Sequence, residues 1–365
     1  MISDLRLFQF KKFKDEHIEL FPLTLLTGIN GMGKSSVIQS LLILRQSFDK
    51  GALQTYNTLL IEDDLVNLIS PYEMLYADAT TPVVGISIED EDCGPAGWKV
   101  LAEGDVNNIP LIEMADSKIF KSALFSSTFQ YLNAERIGPR PTYDKLTIKR
   151  PHSQIGYKGE FVANRILEAL QNNEVVELKS LVQNSPSNKV YDLLSYWVSE
   201  IIYPGSKVTA HNKTTTAIEL KYTFKDQTTK TFNPMNIGFG FSYALPVILS
   251  VLTAKENSIL IVENPEAHLH PRGQSRMGQL LALAAESGVQ IIIETHSDHL
   301  LNGIRVAVKQ KQLAPNNTQI HFFTNEFIGT MKQSFQIQEG GELERWPQGF
   351  FDEWDNMLSK LLRDI

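Results

Sequence analysis

Nine consecutive residues, Gly28-Ile29-Asn30-Gly31-Met32-Gly33-Lys34-Ser35-Ser36, fit the pattern G-x-x-x-x-G-K-[ST]. The chemistry such a run can do is phosphate binding. Its glycines let the backbone approach an anion closely, and its successive N–H groups turn toward it. Lys34 is expected to reach the β- and γ-phosphates and Ser35 to ligate Mg²⁺. Asn30, Gly31, Gly33 and Ser36 complete the expected cradle. Residues 23–27 (LTLLT) read as a strand entering the loop, and 37–48 (VIQSLLILRQSF) as the helix leaving it. A helix N-terminus placed this way favours negative charge. The unit implies a nucleoside triphosphate with Mg²⁺.

A second set of candidate residues follows about 230 positions later, where 258–262 form a mostly apolar strand running into Glu263-Asn264-Pro265-Glu266. Ligand sites of α/β sheets lie at the carboxyl ends of strands, so an acid here can meet the metal. Glu263 is the candidate for that contact, direct or through water. Residues 289–293 give the next strand, ending in Glu294-Thr295-His296-Ser297-Asp298-His299. His296 is then placed to touch the γ-phosphate. No role is assigned to Asp298 or His299, and His268-Leu269-His270 lacks the spacing of a helical zinc pair.

The elements that must position these groups alternate strand and helix. Residues 246–252, 274–285 and 300–309 read as helices before, between and after the two strands, the signature of a parallel sheet covered by helices. Upstream, 5–10 alternate as a strand, 11–17 read as a polar turn and 18–21 as the next extended segment. Residues 83–89 and 98–102 read as strands, and 129–137 as a buried strand stopped by Gly138-Pro139. Residues 160–202 are the most helical portion, and 206–232 alternate like a hairpin closing around Lys225-Asp226-Gln227. No internal repeat or sustained heptad pattern appears.

Composition narrows the class. The chain has 365 residues, 42% hydrophobic and 21% charged, which is ordinary for a globular protein. No apolar run approaches the roughly 20 residues that cross a bilayer. Cys93 is the one cysteine, which leaves no internal disulfide. A cytoplasmic protein is expected. The formal net charge of −8 argues against the whole chain acting as an electrostatic nucleic-acid binder. Residues 135–160 run against that trend with Arg136, Arg140, Lys145, Lys149, Arg150 and Lys158, an expected DNA- or phosphate-contacting stretch.

The motifs together resemble the ABC-type ATPases of the SMC, RecF and OLD branch, including short prokaryotic AAA-family members found in anti-phage defence systems. Residues 28–36 match Walker A, Glu263 to Pro271 match Walker B running into the D-loop, and Thr295-His296-Ser297 match the switch histidine. Asn236-Ile237-Gly238-Phe239-Gly240-Phe241-Ser242-Tyr243-Ala244-Leu245 looks like a divergent signature segment leading into a helix. Residues 131–139 and 346–354 resemble elements of one short subfamily of unknown function. The resemblance implies an α/β P-loop NTPase with an ABC-type core, a mixed sheet flanked by helices. On this reading 1–50 and 233–325 form the core, 51–232 an inserted helical and β lid region partly in the core, and 326–365 a tail element. It also implies a head-to-tail dimer or higher oligomer in which Gly240 and Ser242 reach the partner's γ-phosphate.

Two departures from the family pattern bear on activity. The usual Walker B Asp-Glu is replaced by Glu263-Asn264, and an amide cannot act as a general base, although it can orient a water. Glu266, two residues on, is the alternative carboxylate, so slow or trigger-dependent hydrolysis is expected. The Q-loop glutamine has no convincing counterpart; Gln54 and Asp63-Asp64 are weak candidates. The leading expectation is a dimerising ATPase switch that controls a separate effector, a nuclease or toxin, because only about 55 residues follow Lys309. A RecF-like ATPase clamping DNA is the alternative, with a transporter subunit and a non-hydrolysing scaffold behind it.

Overall fold

Two six-stranded sheets enclose the helix that leaves the glycine-rich loop. The computed structural model describes residues 1–365 apart from 105–106, 147–154, 184, 186, 226–229, 326–329 and 363–365. The first sheet is antiparallel. It comprises β1 (Ile2–Phe10), β2 (Phe13–Glu19), β4 (Thr58–Leu60), β5 (Val83–Asp90), β6 (Gly94–Leu101) and β7 (Asn108–Glu113), in the order β2-β1-β5-β6-β7-β4. The second comprises β3 (Leu23–Gly28), β8 (Gln130–Leu132), β12 (Ile259–Glu263), β13 (Gln290–Glu294), β14 (Thr318–Asn325) and β15 (Thr330–Phe335). Its order is β15-β14-β3-β13-β12-β8, and every pair is parallel except β14 with β15. A small third sheet joins β9 (Tyr143–Asp144), β10 (Lys207–Asn212) and β11 (Ala217–Thr223).

The helices are α1 (Lys34–Asp49), α2 (Val162–Gln171), α3 (Lys179–Val182), α4 (Val190–Ile201), α5 (Phe239–Leu252), α6 (Pro271–Glu286), α7 (Asp298–Lys309) and α8 (Glu353–Leu362). Strand alternation decides what each sheet face meets. Ile259, Ile261 and Ile292 point to the α1 side and share a core with Leu5, Leu7, Ile86 and Ile88 of the first sheet. Leu260, Val262, Ile291 and Ile293 point the other way, into a core built with α2 and α4 to α7. Each fully buried aliphatic side chain contributes about 1.5–3 kcal/mol. Buried on both sides, α1 also hides polar residues, and these serve as ties. Arg45 donates to the carbonyls of Leu124 (2.8 Å) and Ser126 (2.6 Å), and Gln46 bonds the backbone of Leu60 and Val66.

The expected α/β class and strand–helix alternation stand. Several local readings change. The turn expected over 11–17 is confined to Lys11 and Lys12, because Phe13 pairs with Phe10 and the hairpin continues as strand to Glu19. The strand expected over 129–137 is only three residues long, after which the chain crosses the ends of β12 and supplies side chains to the site. The hairpin in 206–232 turns between Asn212 and Ala217, with Tyr222 and Phe232 forming a separate bridge. Of Lys225-Asp226-Gln227, the last two lie outside the described residues. Within the expected inserted region, β4 to β7 belong to the sheet that β1 and β2 begin, and β8 belongs to the core sheet.

Candidate functional site

The glycine-rich loop is shaped by close approaches that a side chain would block. Gly28 ends β3 at φ +124°, and a Cβ there would lie 2.0 Å from the Phe323 carbonyl oxygen, which accepts from the Ile29 N–H. Gly33, at φ +110°, packs against the Phe13 ring, where a Cβ would meet a ring carbon at 2.7 Å. The β1–β2 hairpin therefore braces the loop from one side and β14 from the other. Lys34, only 3% exposed, donates to the carbonyls of Gly28 and Ile29, both at 2.9 Å. Burial lowers its pKa, and Glu294 opposes that shift. Asn30, Gly31, Gly33, Lys34, Ser35 and Ser36 line a cleft of about 370 Å³ together with Lys11, Lys12 and Glu294. The N-terminus of α1, with no acidic residue in its first turn, opens into it.

The parallel register of β12 and β13 sets Glu263 directly beside Glu294. The two carboxylates have different partners. Glu263 accepts from the Tyr131 hydroxyl at 2.8 Å and the Ala134 N–H at 3.4 Å. Glu294 receives the Ser35 hydroxyl, 3.1 and 3.0 Å from its two oxygens. Burial, then the neighbouring Glu263, pushes the Glu294 carboxyl up to about 7. Burial also raises the pKa of Glu263, against the Tyr131 hydrogen bond.

Past β12 the chain turns sharply at Asn264 (φ +45°), whose N–H donates to the Glu294 carbonyl at 2.8 Å. Its side-chain oxygen is buried with no hydrogen-bond partner among the described residues. Glu266 accepts from the His296 N–H at 2.9 Å, and burial raises its pKa. The His296 side chain is exposed, with a pKa lowered by burial and then by Lys34. The glycine-rich loop, Glu263, Glu266 and His296 thus lie together at the carboxyl ends of β3, β12 and β13.

Arg136, Tyr131 and Glu294 have structural parts that sequence reading did not assign. Arg136 is 3% exposed and donates to the carbonyls of Glu263 and Asn264. Burial brings its pKa down to about 10, opposed by Glu266 and Glu263. This corrects its expected place in a DNA-contacting stretch, since a guanidinium bonded to buried carbonyls is not offered to a phosphate backbone. Lys158 pairs with Glu135 at 2.7 Å, while Lys149 and Arg150 lie outside the described residues.

The signature segment also differs from expectation. Gly240 is buried against the His268 carbonyl, and Ser242 is 5% exposed beside the Tyr143 phenol. Because α5 begins at Phe239, Ser242 lies on its first turn facing inward and does not present its hydroxyl to a second copy. Asn236, Gly238 and Phe239 are the exposed positions there, Phe239 at 54%. Among the described residues no group of three or more His, Cys, Asp or Glu forms a metal cluster, and no helix is long and apolar enough to cross a membrane.

This arrangement has close structural parallels. The Smc head bound to the C-winged helix domain of ScpA superposes with a TM-score of 0.55 at 12% identity, covering 92% of this chain and 98% of that one. The Smc head with an extended coiled coil, bound to the C-terminal domain of ScpA derived from Pyrococcus furiosus, gives 0.55 at 11% identity, covering 99% of both chains. The fold is that of an SMC-like P-loop ATPase. Within this ATPase fold, residues 133–302 match the family described as AAA domain, putative AbiEii toxin, Type IV TA system. Residues 313–361 match a family described as a protein of unknown function, DUF3696. No curated protein matches the chain.

Proposed function

We propose that the chain binds MgATP between two head-to-tail copies and hydrolyses it slowly, as a cytoplasmic switch on a separate effector. The observation that carries this reading is the meeting of Lys34 and Ser35 with Glu294, Glu266 and His296 in and beside one cleft. The residues fit the ligand. A buried lysine, backbone N–H groups at a helix start and glycines at positive φ suit a polyphosphate, and Ser35 with a carboxylate suits a hard cation. When bound, MgATP supplies the transferable phosphoryl group.

The chain's own groups divide the remaining work. Lys34 and the α1 N–H groups hold anionic oxygens. Glu266, raised in pKa and fixed by the His296 N–H, takes a proton from water. His296 is kept neutral near Lys34 and donates a hydrogen bond. Asn264 offers an amide oxygen to orient a water but no base, which supports slow turnover. Gly238 and Phe239 provide the exposed surface for a second copy.

Control of a nuclease or toxin in anti-phage defence draws support from the toxin–antitoxin description of the family matching residues 133–302. A DNA clamp is the weaker reading, since Arg136 is buried and Lys158 is paired. The test is ATP hydrolysis against protein concentration, with Lys34→Ala, Asn264→Ala and Glu266→Gln beside the wild type. Turnover per chain should rise with concentration, fall at least about 100-fold in Lys34→Ala and Glu266→Gln, and fall less in Asn264→Ala. Turnover per chain independent of concentration would remove the two-copy site. Phage plating unaffected by Lys34→Ala, in cells that the wild-type system protects, would remove the defence role.

A further inference from the structure

The carboxylate that meets the divalent cation is expected from the sequence to be Glu263. In the folded chain its two oxygens are already engaged on the side away from the phosphate loop, by the Tyr131 hydroxyl and the Ala134 N–H. Burial of the Tyr131 phenol among neighbouring carboxylates keeps it protonated, so it stays a donor to Glu263. Glu263 does not line the cleft, whereas Glu294 does.

Glu294 is held on three sides. Its carbonyl accepts from Asn264, the next residue's N–H donates to the Leu26 carbonyl, and its strand is paired with β12 and β3. Its carboxylate faces the Ser35 hydroxyl with both oxygens at 3.0–3.1 Å. The buried amine of Lys34 directs two of its three donors to the Gly28 and Ile29 carbonyls. Adjacent ligands of an octahedral Mg²⁺ at about 2.1 Å lie about 3 Å apart. The serine and carboxylate oxygens already have that spacing.

We propose that Glu294, and not Glu263, is the carboxylate that holds the divalent cation with Ser35. Glu263 is instead a positioning residue, tying β12 to Tyr131 and the 131–134 segment. Nothing in this assignment needs a second copy, so the metal half of the site is complete within one chain. It rests on the ATP reading above, and the experiment separates the two.

The affinity of a fluorescent ADP is measured in EDTA and in Mg²⁺, and Mn²⁺ binding to the ADP complex is followed by electron paramagnetic resonance. Wild type should bind ADP in EDTA and more tightly with Mg²⁺. Glu294→Gln should keep the EDTA affinity, lose the Mg²⁺ enhancement and bind Mn²⁺ at least about 10-fold more weakly, the effect of losing a ligand or its support. Glu263→Gln should keep both. Glu294→Asp, which retains the charge on a shorter arm, should fall between, and thermal melts of all variants without ligand check folding. Equal Mn²⁺ affinity in wild type and Glu294→Gln, or an equal loss in Glu263→Gln, would overturn the assignment while leaving nucleotide binding intact. A folded wild type that binds ADP in neither condition would overturn the ATP reading itself.

Discussion

A basic residue read from the sequence as surface charge is, in the fold, an internal brace. Arg136 holds the carbonyls of Glu263 and Asn264, the two residues where β12 ends and the turn to Glu266 begins. Its guanidinium also faces the half-buried carboxylates Glu266 and Glu263, and both draw its pKa upward against burial. Removing it leaves two carbonyls short of a donor and Glu266 short of a counter-charge. Replacing a buried charge without its partner costs about 3–5 kcal/mol. Arg136→Met should therefore lower the free energy of unfolding in urea by about 3 kcal/mol, and Arg140→Met, at an exposed position, by no more than about 0.5 kcal/mol. Equal effects would show that Arg136 braces nothing. Its role was not legible in the sequence because the carbonyls it meets lie 127 and 128 positions away. Glu294 escaped for the same reason, as its serine partner is 259 positions distant. The phosphate loop was legible because its chemistry and its flanks are contiguous.

The elements that brace the loop carry a titratable group of their own. His321 on β14 pairs in register with Leu26 on β3, two residues before the loop's first glycine. Its Nε2 lies 2.7 Å from the Glu19 carbonyl, which can only accept, so that nitrogen carries the proton. Nδ1 then accepts from the Ser334 hydroxyl at 2.8 Å. Burial, with a further push from Lys332, lowers the His321 pKa from 6.5 to about 4 despite the Glu19 hydrogen bond. The unfolded chain therefore binds the proton more readily than the folded one between pH 6.5 and 4. Stability from this group is complete above about 6.5 and is lost as pH falls through that window, by about 3 kcal/mol in all. Urea unfolding at a series of pH values should show a slope steeper in wild type than in His321→Gln by up to about 1.4 kcal/mol per pH unit. Parallel slopes would mean that His321 titrates alike in the folded and the unfolded chain, and that burial does not hold its pKa down. Sequence pattern marked β1, β3, β5, β12 and β13 among others, yet neither β14, which carries this histidine, nor its partner β15, and the histidine's environment follows from how those strands pair.

At the scale of the whole molecule, the sheets and helices bring Lys34, Ser35 and Glu294 into one cleft at the strand ends and leave apolar groups uncovered elsewhere. Ile29 at the tip of the loop is 53% exposed, and Phe239 at the start of α5 is 54% exposed, with its ring 5.5 Å from that of His268. Tyr243 packs edge-on against the same histidine at 4.4 Å. In the head-to-tail pair proposed above, each loop would face the other copy's α5, and the two exposed groups would cover one another with the nucleotide between them. Removing roughly half of a large side chain's surface from water is worth about 1 kcal/mol per residue, counted twice by symmetry. Glu266→Gln, which loses the base but keeps the phosphate cradle, should then double in mass on ATP and Mg²⁺ in sedimentation velocity and remain a single chain in EDTA. Adding Phe239→Asp places a charge against the apolar loop tip and should weaken that association at least about 10-fold, while the ligand-free melting temperature changes little because the ring is half in solvent. A double variant that associates as well as Glu266→Gln alone would move the contact away from α5, and with it the part of the site that a second copy supplies.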